Sequence, residues 1–490
     1  MTVDSTYAKP FLTVPQQIRR MRQRGMDCGG DNDASHILQR YGYYRLSGYS
    51  YPYRRRPVPP EDLHDDKGRE IRLDDFESGT TLAHVAAMYE FDHELRTRIS
   101  DALSSLEVSF RFFIGHRLGK MDRFAHRKPH LLDAMHPTTP PAPTNRYAEW
   151  IEEYDRHETR AKDAFVQHFR ETYGNHLPIW VATEVMGFGV LSNLFILMPD
   201  TDQEILAARF QIYAKSGRGD SGALSNWLNN LRNIRNICAH YGRLWNRTFD
   251  VLIDTPGHEL SSATDTDTAP THISQLLDRT VSNKLYGVLI IMRHLTLSTD
   301  PASDKVIALL EYITASADEL GFDLAELGVP ADWSTQPVWQ RNFRLPGEPM
   351  LAASMLDRAA CMSSSEVKAM LNDTPDGKKP SELLKTYRHF NTVVEIPLAG
   401  VNYFPEFQFR DGAVIDALAE INKRFIDEHS HHDHLVVHSA LLHWWQAPQD
   451  TLPLNNQGEP GSPSELLDEV DEEEFDRIIN QTGATESLTL

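Results

Sequence analysis

Cysteine is nearly absent from this chain: 490 residues hold three, Cys28, Cys238 and Cys361. An odd, widely spaced set reads as a reducing cytoplasm rather than a disulfide framework. Long apolar runs are missing too. No segment approaches the roughly 18 to 20 consecutive apolar residues that cross a bilayer, so no membrane partner is expected. The first residues, Met1 to Ser5, show no basic flank leading into an apolar stretch, so no secretory signal is expected. Strand signals are rare, and nothing recurs at solenoid periods. Basic residues are outnumbered, 49 Lys and Arg against 70 Asp and Glu, for a net charge of -21. That balance argues against a general nucleic-acid-coating surface, which is usually basic overall.

What is present is unevenly placed. Hydrophobic residues make up 40% and charged residues 24%, the mixture of a globular chain long enough for two to four domains. Residues 1–60 carry ten Lys and Arg against four Asp and Glu, whereas Glu459 to Asp476 carries nine acids and no base. The segment Asn229 to Arg247 has four arginines, five asparagines and one histidine, with no carboxylate. A basic, amide-rich island in an acidic protein is where a phosphate is best sought.

The apolar spacing predicts a mainly α fold. Residues 15–25 read as a short basic helix stopped by Gly25, and 33–40 as a second. Thr81 to Leu118 keeps Leu82, Val85, Met88, Leu95, Ile99, Leu103, Leu106 and Phe110 on or near one stripe, which predicts a long helix. Further helices are predicted over 147–171, 178–198, 202–215, 221–240, 272–297 and 302–319. Four prolines mark 136–146 as a loop, and Thr, Asp, Ser, Ala and Pro mark 255–271 as another. The expected organisation is a basic, tyrosine-rich part (1–80), a helical core (81–340), a linker (341–350), a smaller, mostly α domain (351–482) and a tail (483–490). Within the second domain, helices are predicted over 351–358, 365–371, 380–387, 413–428 and 435–445. A short β-like pair is predicted near 392–396 and 403–404.

On the island, Asn236 and His240 lie four residues apart and share a helix face, with Arg232 one turn earlier. Arg235 precedes His240 by five residues, roughly 140° around the axis. One straight helix cannot aim both at one atom. They converge only if the helix ends near Gly242, or if a second copy of the segment supplies the other half across a two-fold axis. A histidine titrates near neutrality and can move a proton at a ribose 2′-hydroxyl or a leaving 5′-oxygen. An arginine fork can hold the phosphate and offset charge that builds in the transition state. No compact carboxylate cluster accompanies the island, and this chemistry calls for neither metal nor cofactor. Spacing alone fits equally well a helix whose histidine caps its own end and whose arginines sit in water.

Arg235-Asn236-Ile237-Cys238-Ala239-His240 followed by Tyr241-Gly242-Arg243-Leu244-Trp245-Asn246-Arg247 resembles the signature of the abortive-infection (Abi) family, within the HEPN superfamily of helical ribonucleases. Other blocks agree in order: Lys9-Pro10 with Gln16-Gln17-Ile18, Tyr41 to Tyr49, Tyr89 to Arg96, Leu106 to Arg111 and Pro178 to Gly189. The resemblance runs from about residue 9 to about 340. It implies a HEPN-type helical bundle and metal-independent RNA cleavage at a two-fold site, as in the RNA-cleaving domains of type VI CRISPR effectors. Arg235 and His240 would be catalytic, with Asn236 positioning. Arg232, Arg243 and Arg247 would bind RNA. Some relatives work with a small non-coding RNA, which Tyr44 and Arg54-Arg55-Arg56 would suit by stacking bases and holding phosphates. As a group the tyrosines at 41, 43, 44, 49, 51 and 53 are expected mainly to pack the core. Glu107 and Arg111, four apart on the long helix, are expected as an exposed stabilising pair or as a supporting ion pair near the site; Trp180, Glu184 and Trp245 are expected as core or near it, and Cys238 as a buried small residue.

Residues 401–409, 441–452 and 462–467 resemble antitoxin modules of the Xre/MbcA/ParS type, in which a helix-turn-helix is expected around 351–388. That resemblance implies a partner toxin or antitoxin bound through 351–482. The histidines at 429, 431, 432, 434, 438 and 443 are expected as a solvated loop entering a helix; a metal reading rests on the His434 and His438 spacing. The acidic tail is either a solvated helix end or an RNA mimic folded over the basic island. Three functional readings stay open: a cytoplasmic ribonuclease effector of an anti-phage or toxin–antitoxin system acting as a homodimer, a catalytically silent HEPN scaffold for RNA or a partner toxin, and a helix-turn-helix regulator.

Overall fold

A computed structural model describes residues 10–58, 71–132, 146–257, 283–372, 378–455 and 458–490, with isolated positions at 273, 276 and 277. The chain starts with α1 (Val14–Gln23), α2 (Asp31–Tyr41) and α3 (Tyr43–Ser50). The side chains of Thr13 and Gln16 close the start of α1 as a reciprocal capping box, and Gly25 turns away from it at φ 90°. Next comes α4 (Leu82–Met121), 40 residues long, capped by Thr81, whose side chain accepts the His84 amide.

Around α4 pack α5 (Arg146–Arg160), α6 (Ala164–Tyr173), α7 (Ile179–Val185), α8 (Phe188–Leu197), α9 (Asp200–Arg209), α10 (Ser221–Ala239), α11 (Leu285–Thr299) and α12 (Lys305–Leu320). They share one apolar core with α1 to α3, from Ile18 to Trp339, in which Trp227 and Trp245 are fully buried. The mainly α expectation holds.

Several boundaries differ from the apolar pattern, each for a local reason. The run 178–198 is two helices, because the chain breaks at Met186-Gly187 and restarts with Gly187 as N-cap. Glycines at 187 and 189 disfavour helix there, and a β-carbon on Gly187 would lie 3.1 Å from the His157 ring. The run 202–215 stops at Arg209, followed by Gln211 in the left-handed region at φ 55°. From there the loop returns so closely over α9 that a β-carbon on Gly219 would sit 1.8 Å from the Glu204 carbonyl oxygen, so only glycine lets Asp220 begin α10. The expected loops at 136–146 and 255–271, and the start of the 272–297 helix, fall largely outside the described residues.

Trp333, Val338 and Trp339 lie in short 3-10 turns buried in the first core, and Arg341 pairs with Asp304 and Glu311. Beyond them, α13 (Glu348–Arg358) is apolar on two sides. Ala352, Ala353, Met355 and Leu356 join Ile205 and Ala208 of α9 to Val394, Leu441 and Leu442 further on. Asp357 fixes the contact with Arg209 at 3.0 Å and Arg117 at 3.7 Å, while the Lys120 ammonium donates to the Leu356 and Ala359 carbonyls.

The rest comprises α14 (Ser364–Met370), α15 (Pro380–His389), α16 (Asp416–Glu428), α17 (His434–Gln446), α18 (Pro463–Glu469) and α19 (Glu472–Thr482) around small sheets. Strands β1 (Cys361–Ser363), β2 (Ile396–Leu398) and β3 (Val401–Pro405) pair antiparallel in the order β1-β3-β2. Ala399-Gly400, at φ 51° and 73°, makes the tight β2–β3 turn. The expected β pair is therefore present but shifted in sequence, and β1 was unforeseen because three residues carry almost no period. Strands β4 (Phe409–Arg410) and β5 (Ala413–Val414) form a second hairpin. A buried amide network knits this part. Gln408 bonds both backbone groups of Val394, and Asn422 accepts from the Trp445 indole and donates to the Thr392 carbonyl.

The acidic tail folds on its own module rather than over the basic island. Phe475 and Ile479 of α19 are buried in the second core, Glu472 caps the start of α16, and Asp468 meets Arg410. Nor are the histidines uniformly solvated. His434 and His443 are exposed, but His438 is buried, and its Nδ1 accepts the Glu395 amide at 2.9 Å. The ring proton therefore sits on Nε2, which leaves that nitrogen no lone pair for a metal.

Burial lowers both His438 and His126 to about 3. The folded protein keeps these rings neutral, whereas unfolded histidine takes up a proton below about 6.5. Stability is thus lost as pH falls through that value, because the unfolded chain then binds more protons. The urea midpoint should drop between about pH 6.5 and 5, and His438→Phe and His126→Phe should each flatten the drop; an unchanged slope in both variants contradicts the assignment.

Candidate nucleic-acid interface on the tenth helix

The amphipathic pattern of α10 sets its faces. Leu224, Trp227, Leu228, Leu231, Ile234 and Cys238 point into the core, and Asp220 caps the start by accepting the Ala223 amide. Arg235, Asn236 and His240 are consequently exposed. Cys238 is buried, and burial pushes its thiol up to about 11, which removes it as a nucleophile near neutral pH.

The helix ends abruptly. His240 is the C-cap, Tyr241 takes the left-handed conformation at φ 56°, and the amides of Tyr241 and Gly242 bond the carbonyls of Cys238 and Ile237. This is a Schellman closure in which tyrosine stands where glycine is usual. A non-glycine residue there carries a cost of about 1–2 kcal/mol, so the surroundings must impose it.

They do so through one carboxylate. Asp92 of α4, fully buried, accepts the amides of Leu244 and Trp245, the latter at 2.7 Å, and the Tyr49 hydroxyl at 2.6 Å. Its charge partner is Arg96, one turn further on, which also donates to the Gly242 carbonyl at 3.2 Å. Burial pushes the Asp92 carboxyl upward, while Arg96, Tyr49 and the two amides pull it back. Arg45 adds a bond to the Tyr241 carbonyl at 3.0 Å, and Arg243 donates to the Gly48 carbonyl of α3. Three arginines and a carboxylate thus tie the turn after α10 to α3 and α4.

Arg235 opens into a cleft of about 800 Å³ between α5, α8 and α10. Arg232, Asn233 and Asn236 line it from α10, with Gly187 to Val190 beside them; His240 is not among the lining residues. Behind Arg235 stands Glu107, whose carboxylate is 4.0 Å from its Nε and 2.7 Å from Arg111. Arg111 in turn donates to the Met186 carbonyl. The Glu107–Arg111 pair is therefore mostly buried support behind Arg235, the second of the two readings its spacing allowed rather than the exposed pair.

The other expected contacts separate. Tyr44 is 90% exposed and Tyr241 61%, both flanking the motif, whereas Tyr49 is buried and Tyr41, Tyr43 and Tyr53 pack against the core. Arg54 is half-buried on Asp74 and over the Tyr51 ring, while Arg55 and Arg56 lie on the surface. Arg243 is held on Gly48, where burial lowers it, and Arg247 is partly exposed. Trp245 is core, but Trp180 is half exposed over Gly119. Sequence reasoning missed Asp92, Arg96, Tyr49 and Arg45 as organisers of the motif. All four lie in the blocks Tyr41 to Tyr49 and Tyr89 to Arg96 that carry the resemblance, and Asp92 and Arg96 also have i,i+4 spacing, but neither signal joins them to residues 242–245.

An all-helical core with an Arg-Asn-x3-His helix end, pinned by a buried carboxylate, defines the class. The model of the Abi-like protein family matches residues 36–246, and over that span the chain is similar to Abi-like proteins. Comparison with curated proteins and with solved structures gave no match.

Asp92→Asn keeps the volume but leaves Arg96 buried without a counter-charge. It should cost about 3–5 kcal/mol in urea unfolding. Tyr49→Phe, which removes one bond, should cost about 1 kcal/mol. Equal losses in the two variants would argue against Asp92 as the organising group.

Proposed function

We propose that the chain is a ribonuclease effector of the abortive-infection type, with a HEPN-like core that cleaves RNA without calling on a metal. His240 moves the proton at the ribose 2′-hydroxyl or the leaving 5′-oxygen. Arg235 holds the phosphate, and Asn236 positions it. The observation that carries this reading is the separation of the pair on a rigid helix end. Arg235 and Asn236 face the cleft, while His240, fixed as the helix cap, is exposed outside its lining. Such a chain presents two half-sites, which a second copy in a homodimer would complete. Exposed Tyr44, Arg55 and Arg56 support an RNA contact at the N-terminal end, for substrate or a small non-coding RNA. The module from α13 onward, docked on α4 and α9, supplies regulation or a surface for a partner toxin or antitoxin.

Arg235→Ala and His240→Ala should each lower RNA cleavage by about 10²- to 10⁴-fold. Mixed after dissociation, the two variants should recover part of the activity, because one composite site per heterodimer is intact. Full cleavage by His240→Ala refutes the catalytic role; no recovery on mixing refutes the shared site.

A further inference from the structure

The cleft beside Arg235 has two walls of opposite character. Arg232 and Arg235 stand on α10, and Glu149 and Glu153 on α5 beside Arg146 at its start, over a floor formed by Trp150 and Phe188. A phosphate alone calls for the arginines and gains nothing from the two glutamates. A nucleotide suits both, its phosphate on the arginines and its base edge toward the carboxylates. At about 800 Å³ the cleft falls within the roughly 300–1,000 Å³ of small-ligand sites. The floor is fixed in advance: the Trp150 indole donates to the Val190 carbonyl at 2.9 Å and stacks on Tyr154.

One observation narrows the base. Glu153 is engaged, by Arg156 at 2.6 Å and His157 at 3.4 Å, whereas Glu149 lies exposed one turn earlier on the same helix. A carboxylate only accepts, so it favours bases that offer an amino group, as cytosine N4 does to Glu or Asp. Uracil has no amino group: its one ring N3–H lies between two carbonyl oxygens, which meet the carboxylate with like partial charge. Of the island's five asparagines, Asn233 and Asn236 line the cleft, while Asn230 is buried on Asn226 and Asn229 accepts from Arg232.

We propose that this cleft seats one unpaired nucleotide of the RNA beside the scissile phosphate and selects adenine, cytosine or guanine over uracil, with Glu149 as the acceptor. The inference rests on the ribonuclease reading for its substrate, but it is tested by binding alone. Arg232 and Arg235 hold the backbone without reading sequence; Glu149 reads the base.

The test uses the full chain and short, uncleavable 2′-O-methyl oligomers of A, C and U, with affinity read by fluorescence anisotropy. The A and C oligomers should bind about tenfold tighter than U, the scale of one discriminating base contact. Glu149→Ala, on an exposed helix face, should bring A and C to within about twofold of U. Arg235→Ala should weaken all three alike. Equal binding of the three oligomers to the unaltered chain, or a preference that survives Glu149→Ala, overturns the proposal. So does displacement by free AMP or CMP at concentrations below the oligomer Kd, which would mark a site for free nucleotides. Failure of the ribonuclease reading appears separately, as no cleavage of the matching 2′-hydroxyl RNA by the unaltered chain.

Discussion

Asp92 is the constraint on which the motif depends. A fully buried carboxylate is tolerable only when its charge and lone pairs are satisfied, and Asp92 has Arg96, the Tyr49 hydroxyl and two amides from the turn after α10. Those amides belong to Leu244 and Trp245, so the group that neutralises α4 also sets where the chain goes after His240. With that course set, Tyr241 is held left-handed and His240 sits at the helix cap instead of continuing the spiral. The same carboxylate thus links the fold of the N-terminal helices to the direction in which the motif histidine is presented.

The long helix carries more than this latch. Moving toward its C-terminus, α4 presents Asp92 and Arg96 to the motif turn, then Glu107 and Arg111 behind Arg235, then Arg117 and Lys120 to α13. A 40-residue helix spans about 60 Å, and an unbroken one has little freedom to move one end without the other. The docking of the C-terminal module and the placement of both motif residues are therefore mounted on one rigid element.

Much of this was legible in the residues and some was not, for identifiable reasons. The stripe from Leu82 to Phe110 and the island at 229–247 stood out because helical period and charge contrast are local properties. The five-residue step from Arg235 to His240 placed them on different faces before any coordinates, and the closed helix end keeps them so. By contrast, the partners of Asp92 come from residues 49 and 244–245, and contacts at such separation leave no trace in spacing. The break at Gly187 was hidden because an apolar run reads the same whether or not two glycines interrupt it. Glu107 and Arg111 looked like a surface pair because the sequence does not show that α7 and α10 cover them.

Net charge was the most misleading global number and the most useful local one. The acids that make the chain strongly negative are largely consumed within their own module or spread over solvent, as Glu472 on α16 and Asp468 on Arg410 illustrate. The cleft keeps its arginines because the nearest carboxylate on α4, Glu107, stands behind Arg235 and is shared with Arg111. That leaves the two glutamates of α5 as the only acids among the described residues lining the cleft. A surface meant to bind backbone phosphates alone would gain from replacing them, since each opposes the arginines across the gap. Their presence is accounted for when the occupant carries hydrogen-bond donors as well as negative charge, which is the chemical description of a nucleotide with an amino-bearing base.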